Sequence, residues 1–156
     1  MSRTEGRPRP VGSAGQDWLL ACNPDPAVVQ RAWISLELAE FPTGPPHWRV
    51  AEAPLLPSVE AIARMGGDRI GPLLADIHRS VAWWLLPPDL TGELDGIRQL
   101  TVRPAGWVLR CPPVLHSVDG RWWLERPDGS GVLTAPAVLA ALLSPGSARL
   151  STEASR

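Results

Sequence analysis

Asp76 and His78 stand two positions apart, and both side-chain types can bind a divalent metal. Residues i and i+2 of a strand share one face, so the pair can reach a single ion if the strand continues through position 78. An enzyme that uses Asp76 and His78 is therefore one hypothesis. The simpler interpretation is that they flank a hairpin turn. His47 and His116 have no acidic neighbours at ligand spacing, and we expect both on the surface.

The remaining short motifs favour structural roles. The segment 129–131 (GSG) is too short to hold a phosphate, and Ser130 lacks the Gly-x-Ser-x-Gly context of a hydrolase. Cys22 and Cys111 are too few and too far apart in sequence for a disulfide framework or a zinc site. We therefore expect two thiols in a reducing cytoplasm. These residues predict no metal, no cofactor and no catalysis.

Arginine and tryptophan on neighbouring strands could form a binding surface. Alternation along a strand assigns Trp107, Leu109, Trp122 and Leu124 to the core. The opposite positions then face outward. Arginine beside an exposed aromatic ring can grip phosphates and stack bases, and it is also common at the centre of protein interfaces. Ordinary arginine–tryptophan packing on a solvated sheet remains an alternative. The predicted binding surface consists of Arg103, Arg110, His116, Arg121 and Trp123.

The elements that must position these residues are short. Eighteen prolines and fourteen glycines among 156 residues indicate many turns. We predict helices at 15–23, 58–65 and 135–143, with Ser58 and Thr134 as N-caps and Gly66 ending the second of them. Asp25 predicts the N-cap of a further helix with Pro26 at its first position. Residues 33–38 fit either a helix or a strand.

Most of residues 70–126 reads as strands. Segments 72–76 and 80–86 flank a polar turn, 99–103 and 107–111 flank a Pro-Ala-Gly turn, and 115–118 and 121–125 flank Asp119-Gly120. Residues 40–41 and 48–51 form two more short strands. Both faces of 81–86 are apolar, which predicts a central strand covered on both sides. The fold class is therefore α+β: an antiparallel or mixed sheet of several hairpins with helices packed on one face.

Composition limits the functional classes. We expect one domain over residues 15–144, with disordered tails at 1–14 and 145–156. The formal charge is −1, so no overall field attracts nucleic acid or an anionic membrane. All fifteen basic residues are arginine, which indicates codon bias in a GC-rich genome. Without a signal peptide or a membrane span in the sequence, we expect a cytoplasmic protein that does not bind membranes.

Four segments resemble a known group of bacterial proteins. They are 71–76 (GPLLAD), 84–88 (WLLPP), 126–131 (RPDGSG) and, upstream, 48–50 (WRV). The chain is similar over residues 15–143 to the bifunctional DNA primase/polymerase N-terminal-domain-like proteins of GC-rich bacteria. The resemblance implies an α/β nucleotidyl-transfer domain with a role near DNA replication or mobile elements.

The chemistry of that family requires carboxylates that this chain lacks. The resemblance implies an Asp-x-Asp or Asp-x-Glu pair, because two divalent metals must be clamped between the attacking and leaving oxygens. The nearest match is Asp76-Ile77-His78, which has one carboxylate fewer. We therefore expect a catalytically degenerate primase/polymerase-like domain that binds DNA or a replication protein. The alternative is a protein–protein interaction module with no nucleic-acid role, which the near-neutral charge favours.

Overall fold

The computed structural model describes residues 13–65 and 70–144. The expected tails, apart from residues 13 and 14, and the helix end at Gly66 lie outside these residues. In chain order the elements are α1 (Ser13–Ala21), α2 (Pro26–Ile34), β1 (Ala39–Pro42), β2 (Arg49–Pro54), α3 (Leu55–Met65), β3 (Leu73–Asp76), β4 (Val81–Leu86), β5 (Thr101–Val102), β6 (Val108–Cys111), β7 (Arg121–Glu125) and α4 (Pro136–Leu143). No helix of the described segments is long and apolar enough to cross a bilayer.

The strands form two antiparallel sheets. The main sheet has the order β5-β2-β4-β3-β7, and β1 pairs with β6 in a separate two-stranded ribbon. The predicted hairpin of β3 and β4 is confirmed, as is the central place of β4. The α+β fold class is confirmed as well. The expected pairing of 99–103 with 107–111 is wrong, because β5 pairs with β2 and β6 with β1.

Both faces of the main sheet are covered, whereas helices on one face were expected. Side chains alternate along β4, so Trp83 and Leu85 enter one core cluster and Trp84 and Leu86 enter another. Helices α1 and α2 and the β1–β6 ribbon cover the first cluster. Helices α3 and α4 cover the second.

The ends of α2 follow local signals. Asp25 caps the helix by accepting a hydrogen bond from the N–H of Val28, and Pro26 begins it, as predicted. At the other end the N–H of Glu37 donates to Ala32 O (2.8 Å) and that of Leu36 to Trp33 O (3.0 Å). This is a Schellman motif, and it holds Leu36 at a φ of 60°. Residues 35–38 are therefore neither helix nor strand.

The other two expected caps are wrong. Ser58 lies inside α3, where its Oγ donates to Pro54 O and accepts from Trp84 Nε1. Thr134 lies just before the N-cap of α4, and its Oγ1 accepts from the N–H of Gly71. Both hydroxyls are buried, and each accepts a hydrogen bond from a residue distant in sequence, Trp84 for Ser58 and Gly71 for Thr134, which no local pattern encodes.

The two faces of β7 are the reverse of the prediction. Arg121 and Trp123 are buried, while Trp122 and Leu124 are only half-buried. Because both faces of the sheet are covered, apolar residues occur on each, and alternation alone does not identify the inner one. In β6 the prediction holds for Leu109, which is buried. Trp107 precedes that strand and is half-buried against the first cluster.

The turn at Asp119-Gly120 forms, but the expected hairpin is minimal. Both residues have positive φ, 51° and 79°, as a type I′ turn requires. Only Val118 pairs across it with Arg121. His116 lies in an exposed loop and not on a strand opposite Trp123, because the backbone of 112–117 leaves the sheet.

Candidate functional site

A cleft of about 770 Å³ opens between the β1–β6 ribbon and the turns at 77–80 and 119–120. An adjoining groove of about 470 Å³ runs toward α2 and shares with the cleft Leu38, Glu40, Arg110 and Asp119. The two depressions therefore form one continuous surface feature. The cleft is lined by Leu38, Glu40, Asp76, His78, Arg79, Trp107, Val108, Arg110, Asp119 and Arg121.

Arg121 forms the floor of the cleft and is held by three partners. Its Nε donates to Oδ2 of Asp76 at 3.0 Å, and its Nη1 donates to the carbonyl of Arg110 at 2.7 Å. Its guanidinium carbon lies 4.4 Å from the ring centroid of Trp83. One side chain thus joins β7 to the neighbouring strand and to the ribbon, so its charge is already satisfied inside the protein.

Asp76 remains ionised in this setting. Burial by itself raises the pKa of its carboxyl. The N–H of Arg79, which donates to Oδ1 at 3.0 Å, and the guanidinium of Arg121 outweigh that effect and lower the pKa. The carboxylate therefore serves as the permanent counter-ion of Arg121.

The arrangement does not make Asp76 and His78 a shared metal site. Strand β3 ends at Asp76, so His78 belongs to the exposed turn that follows and the i, i+2 relationship of a strand does not apply. The His78 ring packs on Gly120 instead. In the described part of the chain no group of three or more His, Cys, Asp or Glu side chains is placed to hold a metal ion.

A second arginine lies at the far end of the same aromatic pair. The ring centroids of Trp83 and Trp107 are 6.5 Å apart, and the guanidinium carbon of Arg103 lies 5.1 Å from the Trp107 ring centroid. Glu52 Oε1 accepts from both Arg103 Nη2 and Trp83 Nε1, each at 3.0 Å. Arg103, like Arg121, therefore stacks on tryptophan and faces its own carboxylate.

The rim of the cleft is also balanced in charge. Glu40 and Arg110 are register partners of the ribbon and form an exposed ion pair at 3.3 Å. Arg79 and Asp119 are exposed on the opposite side. The lining as a whole carries three carboxylates and three guanidinium groups, with histidine taken as neutral.

The structure brings together part of the predicted binding surface. Arg110 and Arg121 line the cleft, and Arg103 lies behind its Trp107 wall. Trp123 does not belong to the surface, because it is buried and its Nε1 donates to Pro112 O. His116 is exposed but does not line the cleft.

Sequence reasoning singled out Asp76, as a candidate metal ligand, but missed the acidic residues Glu40 and Glu52. Glu40 lies at the site because strand β1 pairs with β6, and Glu52 lies there because strand β2 pairs with β4. Both pairings join segments far apart in the chain, so no short motif reports them. The turn at Asp119 was predicted from the sequence, although the position of Asp119 at the cleft was not.

The two cysteines lie apart from the cleft. Both are free thiols buried in the first core cluster. Burial raises the pKa of Cys22 and of Cys111, so both remain protonated and unreactive at neutral pH.

Comparison with known proteins gives no assignment. No protein-family model, no curated protein and no solved structure matches this chain.

Proposed function

We propose that this chain is a non-catalytic binding domain and that its cleft docks a segment of a partner protein. One observation carries the proposal: three of the four guanidinium groups of the cleft and its Trp107 wall face carboxylates of the same chain, Arg79 being the fourth. The pairs are Arg121 with Asp76, Arg103 with Glu52, and Arg110 with Glu40.

Internal pairing disfavours phosphate as the ligand. A phosphate that approached Arg121 would have to displace the buried carboxylate of Asp76, whose side chain is only 5% exposed. Nucleic-acid affinity depends on unpaired arginine or lysine side chains, which neutralise phosphates and release the small counterions bound to them. A neutral lining that combines Trp107, Val108 and Leu38 with paired charges has instead the composition of a protein interface.

A second candidate follows from the resemblance to primase/polymerase-like proteins. On that hypothesis the chain is a catalytically degenerate member that binds single-stranded DNA, or the protein partner is itself a replication protein. Arg79 and His78 favour it, since both are exposed on the rim of the cleft. With Trp107 nearby they supply a positive charge and an aromatic face for a nucleotide. A reducing, cytoplasmic location is part of either proposal and accords with the two free thiols.

A pair of matched valine substitutions tests the docking proposal. Val108 is 42% exposed and lines the cleft, and Val59 is 39% exposed on α3, which covers the other face of the sheet. A partner would be identified by cross-linking in a native lysate and then purified. We expect Val108→Asp to weaken its binding by at least about tenfold, and Val59→Asp to leave it unchanged. Equal effects of the two variants would refute the proposal.

A direct assay of nucleic-acid binding decides between the two candidates. Binding of a fluorescent single-stranded oligonucleotide would be titrated at roughly 50 and 200 mM salt. Protein docking predicts no measurable affinity at either. Affinity that falls steeply with salt and is lost in Arg79→Ala, with Arg31→Ala on α2 as the control, would establish the nucleic-acid function instead.

A further inference from the structure

The groove beside the cleft has an apolar floor and an acidic border. Val28 and Ala32 stand one helical turn apart on α2, and Leu38 and Ala39 continue the floor to the start of β1. The border carries Asp25, Glu37, Glu40 and Asp119 against the single arginine Arg110. The groove therefore has a formal charge of −3, from four carboxylates and one guanidinium, whereas the adjoining cleft is neutral.

These carboxylates do not form a cation site. Asp25 is committed to the N-cap of α2, and Glu40 is paired with Arg110. The described residues contain no group of these side chains that could hold a metal. Glu37 and Asp119 are exposed. The negative potential is thus spread along an open groove, which suits an extended cationic chain more than a single ion.

The C-terminal end of α2, just ahead in sequence of the groove residues Glu37 and Leu38, displays aliphatic side chains at an energetic cost. Leu36 occupies the left-handed position of the Schellman motif, where glycine avoids the steric penalty of a Cβ. The residue is 75% exposed, so no packing in the described structure accounts for leucine there. Ile34, two residues earlier, is 82% exposed. Leu36 immediately precedes Glu37 and Leu38, which line the groove.

We infer that the groove binds an extended segment of a partner protein in which arginine or lysine alternates with aliphatic side chains. The inference rests on the proposed docking function and names the chemistry of the partner. Basic side chains match Glu37 and Asp119, and aliphatic ones cover Leu36 and the floor formed by Val28 and Leu38. Complementary charge of this kind selects the partner and speeds encounter. A nucleic-acid strand or an acidic peptide is repelled by the same border.

The test uses a short fluorescein-labelled peptide of alternating arginine and leucine, and a second peptide with glutamate in place of arginine. Fluorescence anisotropy reports binding to the full chain. We expect the wild type to bind the first peptide and not the second. Failure to bind the first peptide would overturn the inference.

Two double variants separate the groove from overall charge. Glu37→Gln with Asp119→Asn removes two negative charges from the border, and asparagine tolerates the positive φ of position 119. Glu60→Gln with Asp89→Asn removes two from exposed positions that do not line the groove. The first pair should weaken peptide binding about tenfold or more, and the second less than about twofold. Equal weakening, or none, would contradict the assignment.

Leu36→Gly separates binding from stability. Relief of the left-handed strain should keep or raise the melting temperature, while loss of the side chain should weaken peptide binding several-fold. Unchanged affinity would remove Leu36 from the site.

The docking proposal is tested independently, because it depends on capture of the partner that Val108→Asp disrupts. If that capture is lost in Val108→Asp but the arginine–leucine peptide does not bind, the partner has a different chemistry and only the present inference falls. A concentration-dependent dimer abolished by the groove variants would show a second copy as the occupant and would also overturn it.

Discussion

Asp76 and Arg121 are direct cross-strand partners at the ends of β3 and β7, and their side chains meet as a buried ion pair with 3.0 Å between Nε and Oδ2. Their positions explain why Arg121 points inward although an arginine on a sheet usually faces water. Asp76 supplies the counter-charge and Trp83 the ring on which the guanidinium rests. The pair lies at the floor of the cleft, and a further hydrogen bond from Arg121 Nη1 to Arg110 O joins that floor to the ribbon.

Removal of the charge at Asp76 should be strongly destabilising. Asp76→Asn leaves the guanidinium of Arg121 buried without a counter-ion, which typically costs about 3 to 5 kcal/mol. Urea unfolding at neutral pH measures the loss. The control is Glu40→Gln, which breaks an ion pair whose side chains are 64% and 63% exposed, and it should change stability by less than about 1 kcal/mol. Similar losses in both variants would show that burial of the Asp76–Arg121 pair is unimportant.

Acid should destabilise the protein through the same carboxyl. The pKa of Asp76 is lower in the folded chain than its unfolded value of about 3.9. A lowered folded pKa contributes stability that is present above the unfolded value and is lost as the pH falls through the folded one. Urea midpoints measured from neutral pH down to about pH 3 should therefore fall in the wild type. They should fall less in Asp76→Asn, and parallel pH profiles of the two proteins would refute the role of Asp76.

Paired tryptophan variants test the faces of β7. Trp123 is 4% exposed, belongs to the first core cluster and donates its indole N–H to Pro112 O at 3.1 Å. Trp123→Ala should cost about 3 to 5 kcal/mol through the cavity and the unpaired carbonyl. Trp122 is half-buried, so Trp122→Ala should cost clearly less. The opposite order in thermal or urea unfolding would restore the face assignment expected from alternation.

Local signals in the sequence were reliable where one short segment decides the structure. The cap at Asp25, the type I′ turn at Asp119-Gly120 and the hairpin of β3 and β4 all depend on residues close together in the chain. The α+β class follows from such elements taken together. The central position of β4 was readable as well, because both of its faces are apolar.

Contacts between strands that are distant in the chain could not be predicted from the sequence. Glu40 meets Arg110, and Glu52 meets Arg103, only because distant strands lie side by side. The direction of Arg121 likewise depends on Asp76 and Trp83, which belong to two other strands. The basic half of the site was therefore predictable by residue type, while its neutralisation by acidic partners was not. Our proposal of a protein ligand rests on that neutralisation.

Substitutions at Ser58 distinguish a buried hydroxyl from a helix cap. Its side chain is fully buried, and its Oγ links Pro54 O at 2.9 Å to Trp84 Nε1 at 3.1 Å. Ser58→Ala should therefore cost about 1 to 3 kcal/mol, because it leaves the indole N–H of Trp84 buried without an acceptor. Ser58→Asp gives the sharper contrast. An N-cap accepts aspartate as readily as serine, whereas this interior position would bury a carboxylate within α3, so aspartate should destabilise more than alanine. Thermal unfolding of the two variants measures the order, with Trp84→Phe as a background in which the Ser58→Ala loss should shrink. Stability retained in Ser58→Asp would mean that Ser58 caps the helix as the sequence first indicated.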